Sequence, residues 1–373
     1  MFGLAAAWSL LSGCGTSEIS TPPAGNATSN PPTERLPENK ALPDTGKPTP
    51  EELLTEADVL AKSGDFKTSI KRYADVIAAA PDQPSGYAHR ADSYVAIGET
   101  ERGLADYRTA IRLAPQDASL YLARAKALVL KRRFEPAKAD CDRAISLRPR
   151  WGDAFLVRGS IGLEMGDWDA AIPDFDAAIR LMENPSSAYN NRGVAHLGKG
   201  QLDLALADYT AALAHNKEFA DAYNNRGILY ARQRKLDEAA TDFSEAIRVS
   251  PFALPIYENR ADIYLRQGKH EKAVADFTVV IDRSLSQAAK QRSAPAAKLG
   301  RVYRKRAAAL LDLDRVDDAL PDVNEAIDLN PDDPEAFSVR QRIHLKKGQL
   351  KEAADDEQRA TQILARQLPG ADR

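Results

Sequence analysis

The sequence predicts an all-α protein made of stacked helix hairpins, an α-solenoid. Three observations predict it: a 34-residue period, small residues at two fixed positions of that period, and matched opposite charges at two others. Pro81, Pro115 and Pro149 are spaced by 34 residues, and numbering each repeat so that these prolines fall at position 32 gives nine repeats. A period of this length indicates a repeat array rather than separate globular domains.

Each repeat predicts two antiparallel helices. Position 8 is Ala or Gly in eight repeats, position 20 is Ala in seven, and position 24 is mostly aromatic. Positions 4, 8 and 11 share one face of the first helix, and positions 20, 24, 27 and 28 share one face of the second. A Gly at position 15 in six repeats is expected to end the first helix, and the Pro at position 32 to stop the second. Since one hairpin cannot bury its apolar face alone, the repeats must stack.

The matched charges predict ion pairs inside each hairpin. Position 7 is Arg and position 23 is Asp in repeats 2 to 9, for example Arg226 and Asp242. Repeat 1 has the reversed pair, Glu56 and Arg72. The reversal indicates that positions 7 and 23 pair within one repeat. We expect these pairs to fix helix positions more than they add stability.

The N-terminal region predicts a tether. An apolar run at 4–11 ends in small residues directly before Cys14, and this resembles the lipobox of bacterial lipoproteins. The resemblance implies a signal segment at 1–13, cleavage before Cys14 and acylation of its sulfur. Residues 14–49 are rich in Pro, Ser and Thr, and we expect a disordered tether because they cannot bury enough apolar area to fold. No Lys or Arg precedes the apolar run. This leaves open a start that lies inside a longer signal, or an accidental resemblance in a cytosolic protein with a mis-assigned N-terminus.

Repeats 1–7 then span 50–287, an insertion spans 288–299, repeats 8 and 9 span 300–367, and a tail spans 368–373. The period, the small residues at positions 8 and 20, the aromatic at 24 and the Pro at 32 resemble the tetratricopeptide repeat family. This resemblance implies a right-handed α-solenoid that serves as a scaffold. It also implies that positions 2, 5, 6, 9, 12 and 13 of the first helices line a concave groove for a bound protein segment. We expect the insertion to lengthen the two helices beside it.

The groove positions predict a partner-binding site with apolar, amide and basic parts. The amides can each donate and accept, which suits the backbone of an extended peptide, although bonds between neighbouring helices are the alternative. The basic residues favour an acidic segment or a C-terminal carboxylate, although a solvated charged face is the alternative. The predicted groove residues are Leu122, Leu156, Asn190, Asn191, Asn224, Asn225, Asn259, Arg232, Arg266, Arg301, Arg304 and Lys305.

Composition and motifs argue against other functions. With 51 basic and 54 acidic residues the net charge is −3, so a strongly basic nucleic-acid binder is excluded as the default. We find no metal-ligand spacing, no phosphate-binding loop and no nucleophile motif. Cys141 falls at position 24 and is expected to be a small buried hydrophobe. We therefore predict no enzyme activity, no cofactor and no small-molecule substrate.

Together these observations predict a non-catalytic scaffold, lipid-anchored in a bacterial cell envelope on the periplasmic or outer side, that binds a protein or peptide in its groove. Two alternatives remain open. One is a cytosolic co-chaperone-like or regulatory scaffold, and the other is a structural protein that self-assembles through the second helix of repeat 9.

Overall fold

The computed structural model describes residues 48–291 and 298–367, and all regular structure within these ranges is α-helix. Cys14, nearly all of the predicted tether and the tail 368–373 lie outside the described residues. The helices, taken in pairs, correspond to the repeats. They are α1 (Pro50–Lys62), α2 (Phe66–Ala79), α3 (Pro84–Ala96), α4 (Thr100–Leu113), α5 (Ala118–Leu130), α6 (Phe134–Leu147), α7 (Gly152–Met165), α8 (Trp168–Leu181), α9 (Ser186–Gly198), α10 (Leu202–His215), α11 (Ala220–Arg232), α12 (Leu236–Val249), α13 (Leu254–Arg266), α14 (His270–Gln291), α15 (Lys298–Asp312), α16 (Val316–Leu329), α17 (Pro334–Lys346) and α18 (Leu350–Gln367). The prediction of an all-α solenoid of helix hairpins is confirmed.

The first helix begins with a capping box. The Thr49 hydroxyl accepts from the Glu52 amide at 3.3 Å, and the Glu52 carboxylate accepts from the Thr49 amide at 2.8 Å. Two backbone donors that the helix leaves unpaired are thereby satisfied. Pro50, Pro84 and Pro334 stand at the first position of their helices, where no amide hydrogen is needed.

The turn inside each hairpin needs one residue with left-handed backbone at position 15. Six repeats use glycine there, with φ between 69° and 85°. Arg132, Arg234 and Asp314 occupy the same position in repeats 3, 6 and 8 and still have φ of 54° to 60°. The hairpin geometry therefore imposes the left-handed conformation even where a Cβ makes it less favourable.

The chain divides into two compact units, 48–195 and 196–367, and the boundary falls within α9. In the first unit, Tyr107, Leu122 and Ile161 belong to one buried cluster that also holds Cys141. In the second unit, one cluster surrounds Phe277 and another surrounds Phe243. The small residues at position 8 make this packing fit, because a Cβ on Gly227 would lie 2.9 Å from the Phe243 ring.

Ion pairs join the two helices of a hairpin. Arg226 donates to Asp242 through Nε at 2.7 Å and Nη2 at 2.8 Å, and both side chains are largely buried. Arg72 donates to Glu56 at 3.0 Å in the reversed pair of repeat 1, which is much more exposed. The same two-pronged contact recurs in other hairpins. Those pairs are Arg90–Asp106, Arg124–Asp140, Arg158–Asp174, Arg260–Asp276, Arg306–Asp322 and Arg340–Asp356.

A second acceptor links these arginines to the preceding hairpin. Arg158 donates through Nη1 to Asp142 at 2.6 Å, and Arg192 donates to Asp176 at 2.5 Å. Both acceptors stand at position 25 of the preceding repeat, a position that the sequence analysis did not single out. Each arginine therefore orients its own hairpin and also ties it to the preceding one. Further acceptors at position 25 are Thr210 for Arg226, Ser244 for Arg260, Thr278 for Arg306 and Asn324 for Arg340.

The insertion coincides with two longer helices. α14 has 22 residues where the second helices of the other inner hairpins have 14, and α15 has 15 where other first helices have 13 or 14. Residues 292–297 lie outside the described ranges. Within the described residues, no helix combines the length and apolar character needed to cross a membrane.

Candidate partner-binding surface

The first helices of neighbouring hairpins contact one another directly within each unit. Hydrogen bonds cross from α1 to α3 between Asp58 and His89, and from α13 to α15 between Asp262 and Lys305. The side chains at positions 2, 5, 6, 9, 12 and 13 of these helices are the predicted partner-binding surface in each unit. We refer to this surface as the first-helix face.

Four of the predicted asparagines, at positions 5 and 6 of the first-helix face, are buried. Asn190, Asn191, Asn224 and Asn225 have exposed fractions between 2% and 7%. Asn191 donates to the Ser160 hydroxyl on the preceding first helix at 3.1 Å and accepts from the Asn190 amide at 3.1 Å. These amides are therefore placed to hold neighbouring helices together.

The remaining asparagine, Asn259, is half-buried and behaves in the same way. Its amide donates to the Asn224 oxygen at 3.0 Å, which connects α13 to α11. Of the two roles that the sequence left open for the asparagines, these distances favour bonding between neighbouring helices over recognition of a peptide backbone.

Two of the predicted basic residues, Arg301 and Lys305, have acidic partners on α13. Lys305 donates to both oxygens of Asp262, at 2.6 Å and 2.7 Å, and Arg301 donates to Glu258 at 3.1 Å. Both acids stand on α13, at positions 9 and 5 of repeat 7. These acids face the bases at this end of the groove and were not among the predicted groove residues. The positive charge expected for this surface is therefore largely compensated.

The other basic residues differ in their surroundings. Arg304 lies against Asp333, with Nε 2.9 Å from the carboxylate, and against Glu335. Arg266 is exposed and donates to the Ala231 carbonyl at 3.2 Å. Arg232 is exposed at the end of α11. Arg232 and Arg266 are thus the predicted groove cations that are exposed and have no acidic partner among the described residues.

The predicted apolar part of the groove is mostly core. Leu122 has an exposed fraction of 3% and belongs to the buried cluster of the first unit, and Leu156 is half-buried. Leu130, at the end of α5, is more open, with an exposed fraction of 40%. An apolar side chain of a partner could contact Leu130 on this face, but it could reach little of Leu122.

A polar cluster that the sequence analysis missed lies on the first-helix face of repeats 1–3. Tyr73 donates to Asp58 Oδ1 at 2.7 Å, and His89 Nδ1 lies 2.8 Å from the same oxygen. Tyr107 donates to Asp92 in the next repeat. The sequence does contain a signal for this cluster, which is Asp at position 9 together with Tyr at position 24 of the same repeat. The hydroxyl of that tyrosine is long enough to reach the aspartate on the first helix of its own hairpin.

Crowding changes the acidity of this cluster. The side chain of Asp92 is open to solvent, but surrounding protein atoms raise its pKa, while the Tyr107 hydrogen bond and the charges of His89 and Lys126 act in the opposite direction. Burial raises the pKa of Tyr73 and Tyr107, and their bonds to carboxylates raise it further. The tyrosines are therefore neutral donors at any physiological pH.

Two observations bear on catalysis. Burial raises the pKa of the Cys141 thiol to about 12, so the thiolate needed for nucleophilic attack is absent near pH 7. Among the described residues, no three His, Cys, Asp or Glu side chains are grouped so that they could hold a metal ion.

This architecture defines a helix-hairpin repeat scaffold. The sequence profile of the tetratricopeptide repeat family matches residues 54–117, 89–154, 156–216, 190–253, 224–289 and 304–371. The chain belongs to the tetratricopeptide repeat family.

Solved structures show the same fold. A tetratricopeptide repeat protein from Parabacteroides merdae is 20% identical over 62% of this chain and 92% of its own, with a TM-score of 0.53. PilF from Pseudomonas aeruginosa is 18% identical over 57% of this chain and 97% of its own, with a TM-score of 0.50. The Cut9–Hcn1 structure is 17% identical over 79% of this chain and 55% of its own, with a TM-score of 0.53. A comparison with curated proteins gave no match.

Proposed function

We propose that this protein is a non-catalytic adaptor that is anchored to a bacterial envelope membrane and binds an extended segment of a partner protein along its first-helix face. The family supports the scaffold role, because tetratricopeptide repeats generally serve protein interactions. The observation that carries the site is the row of polar and charged groups along this face. In repeats 6–8 it includes the exposed Arg232 and Arg266 and the partly exposed Arg301–Glu258 pair.

The charge pairs set the character of the partner. Because Glu258 and Asp262 already compensate Arg301 and Lys305, a purely acidic segment would have to displace those carboxylates. A segment that carries both charges, or that presents its backbone, can exchange hydrogen bonds with these pairs at lower cost. We therefore propose a partner segment of mixed charge, whose acidic groups approach Arg232 and Arg266.

Membrane attachment through Cys14 is the second part of the proposal, and its support is the sequence before that cysteine. Acylation of one N-terminal cysteine with several chains would give a firm anchor. Residues 15–49, if flexible, would let the repeats stand about 30–35 Å from the membrane.

Replacing Cys14 tests the anchor. In cells labelled with a palmitate analogue, Cys14→Ser should lose the label and move from the membrane fraction to the soluble fraction. The matched control is Cys141→Ala, which removes the other cysteine of the chain and should keep both the label and the location. Membrane retention of unlabelled Cys14→Ser would overturn the anchor and favour a scaffold held elsewhere by its partners.

Capture of partners tests the face. Cross-linking in native cells followed by purification should recover one or a few proteins. Their yield should fall several-fold in a triple variant with Arg232, Arg266 and Arg301 changed to Ala. The control triple, Arg248, Arg315 and Arg366 changed to Ala, removes the same charge from exposed positions outside the first helices and should leave capture unchanged.

Equal loss in both triples would contradict a specific face. Recovery of the protein alone, with a mass that rises with concentration, would instead favour self-assembly.

A further inference from the structure

The arginine at position 7 meets an unusual neighbour at the junction of repeats 2 and 3. At the junction of repeats 3 and 4, Nη1 of Arg158 donates to Asp142, and at the next junction Nη1 of Arg192 donates to Asp176. Arg124 holds the same position in repeat 3, but position 25 of the preceding repeat is Arg108. A second cation thus stands where the neighbouring junctions place a carboxylate.

The two arginines line a cavity of about 300 Å³. Arg124 keeps its contact to Asp140 through Nε and Nη2, each at 2.7 Å, so that Nη1 is left for another acceptor. Within 48–291 and 298–367, neither Nη1 of Arg124 nor the exposed guanidinium of Arg108 has a hydrogen-bond acceptor. Arg133 adds a third guanidinium to the wall, while one of its nitrogens donates to Glu101 at 2.8 Å.

Apart from the three arginines and Asp140, whose carboxylate accepts from Arg124, the cavity lining is apolar. Leu104 and Leu128 are buried and form part of it, and Pro136 and Ala139 add further apolar surface. A cavity of this volume is at the lower limit for small-molecule sites, and it suits one side chain of a protein better than a whole metabolite. None of the lining residues occupies a first-helix-face position, so this site is separate from the surface of the proposed function.

The charge of the surrounding repeat is unusual for this chain. Repeat 3, residues 118–151, has nine Lys or Arg residues against three Asp or Glu, whereas the whole chain has a net charge of −3. Lys138 and Arg143 are exposed on α6, the helix that also supplies Pro136, Ala139 and Asp140. Such a local excess attracts an acidic partner from a distance and orients it before contact.

We propose that this cavity binds the carboxylate of an Asp or Glu side chain from an acidic segment of a partner protein. The carboxylate occupies the place that Asp142 and Asp176 take at the following junctions and bridges Nη1 of Arg124 and the guanidinium of Arg108. The carbon chain of the same side chain lies against Leu104 and Leu128. Arginine recognises a carboxylate through directed, charge-assisted hydrogen bonds, which the neighbouring junctions demonstrate within this chain.

The variant Arg108→Asp tests the site because it places at position 25 the residue found at Asp142 and Asp176. The carboxylate introduced at position 108 should accept a hydrogen bond from Arg124 and thereby block the place of the partner's carboxylate. The probe is a fluorescein-labelled acetylated peptide of alternating Glu and Leu, and its affinity is measured by anisotropy at low salt. Arg108→Asp should weaken binding at least about tenfold, as expected for loss of a charge-assisted contact. It should unfold at the same temperature as the parent protein or a higher one.

The matched control is Arg112→Asp, which makes the same charge change at an exposed position on α4 outside the cavity lining. It should weaken binding no more than about threefold, by the general charge effect alone. Arg108→Ala should also lose binding, without adding a carboxylate. Equal losses in Arg108→Asp and Arg112→Asp would overturn the site and leave only diffuse attraction.

Competition identifies the source of the anion. A peptide with Gln in place of Glu should not bind, and free glutamate should compete only weakly. Complete displacement of the peptide by millimolar inorganic phosphate, or Arg108-dependent binding to phosphatidylglycerol vesicles in the absence of peptide binding, would overturn the carboxylate assignment in favour of a phosphate ligand.

Discussion

The first-helix face is built differently in repeats 1–3 and in repeats 6–8. In repeats 6–8 the acids are matched by bases on the next hairpin, as in Asp262 with Lys305. In repeats 1–3 the acids accept from tyrosine hydroxyls, as Asp92 does from Tyr107. Position 9 holds an aspartate in both cases, yet one carboxylate has a full counter-charge and the other has a neutral donor.

This difference shows that a repeat position fixes where a side chain lies but not its electrostatic state. That state depends on what the second helix of the same hairpin and the first helix of the next hairpin supply. Tyr107 supplies a hydroxyl where Phe277, at the same position in repeat 7, supplies none. Similar sequences can therefore present a charge-compensated surface at one end and a crowded acidic surface at the other.

Removing the carboxylate of a hairpin ion pair should have the largest effect on the free energy of unfolding. It tests whether these pairs contribute equally to stability in repeats 1–3 and in repeats 6–8. Asp106→Ala would leave Arg90 largely buried without a carboxylate, and position 25 of repeat 1, Ala74, offers no acceptor. We expect a loss of about 3–5 kcal/mol in the free energy of unfolding. Asp276→Ala should cost less, because Arg260 keeps its bond to Ser244. Urea unfolding followed by circular dichroism measures both.

The exchange of the two charges provides the control for this prediction. A double variant with Arg260→Asp and Asp276→Arg should recover a large part of the stability lost in either single variant. Simple additivity of the two single effects would contradict direct pairing. A loss below about 1 kcal/mol in Asp106→Ala would show that the pair is only a surface contact.

The hairpin fold was predictable because its signals are local. The 34-residue period, the small residues at position 8 and the aromatic residues at position 24 together specify two helices and their contact. The turns of repeats 3, 6 and 8 were harder to predict from the sequence, because Arg132, Arg234 and Asp314 replace the glycine expected where φ is positive. There, packing of the hairpin determines the backbone conformation in place of local preference.

The candidate site was less predictable because its contacts connect different hairpins. Asp262 and Lys305 are 43 residues apart, with the insertion between them, so their pairing depends on how two hairpins stack. Counting bases along one helix face therefore gave a positive groove that the acids on α13 compensate. Acceptors at position 25, such as Asp142, were missed for the same reason. Their role is apparent only when the second helix of one repeat is set beside the first helix of the next.

Removing the carboxylate of Asp262, in repeats 6–8, should have an intermediate effect on the free energy of unfolding. Asp262→Asn keeps the size of the side chain but removes the counter-charge of Lys305, and both side chains are about a quarter exposed. We expect a loss of about 0.5–1 kcal/mol that shrinks at high salt. The exposed pair Lys269–Asp237 gives the control, and Asp237→Asn should cost almost nothing. Equal costs for the two variants, or no dependence on salt, would contradict a specific pair on this face.

Removing the carboxylate of Asp92, in repeats 1–3, should have the smallest effect on the free energy of unfolding. The effect should also have the opposite sign, a gain in stability. Crowding raises the pKa of Asp92 in the folded protein above the unfolded value of about 3.9. The folded state therefore holds this proton more strongly, and the free energy of unfolding falls as pH rises from about 3.9 through the folded pKa. Asp92→Asn removes that fall while still accepting from Tyr107.

At pH 7 the Asp92→Asn variant should therefore be slightly more stable than the parent protein, by less than about 1 kcal/mol because the side chain is open to solvent. Below pH 3.9 the difference should vanish. Urea unfolding at a series of pH values measures it, with Asp262→Asn as the contrast that loses stability at pH 7. A loss in Asp92→Asn as well would mean that His89 and Lys126 compensate Asp92 as fully as Lys305 compensates Asp262. The two regions would then differ in their donors but not in their charge balance.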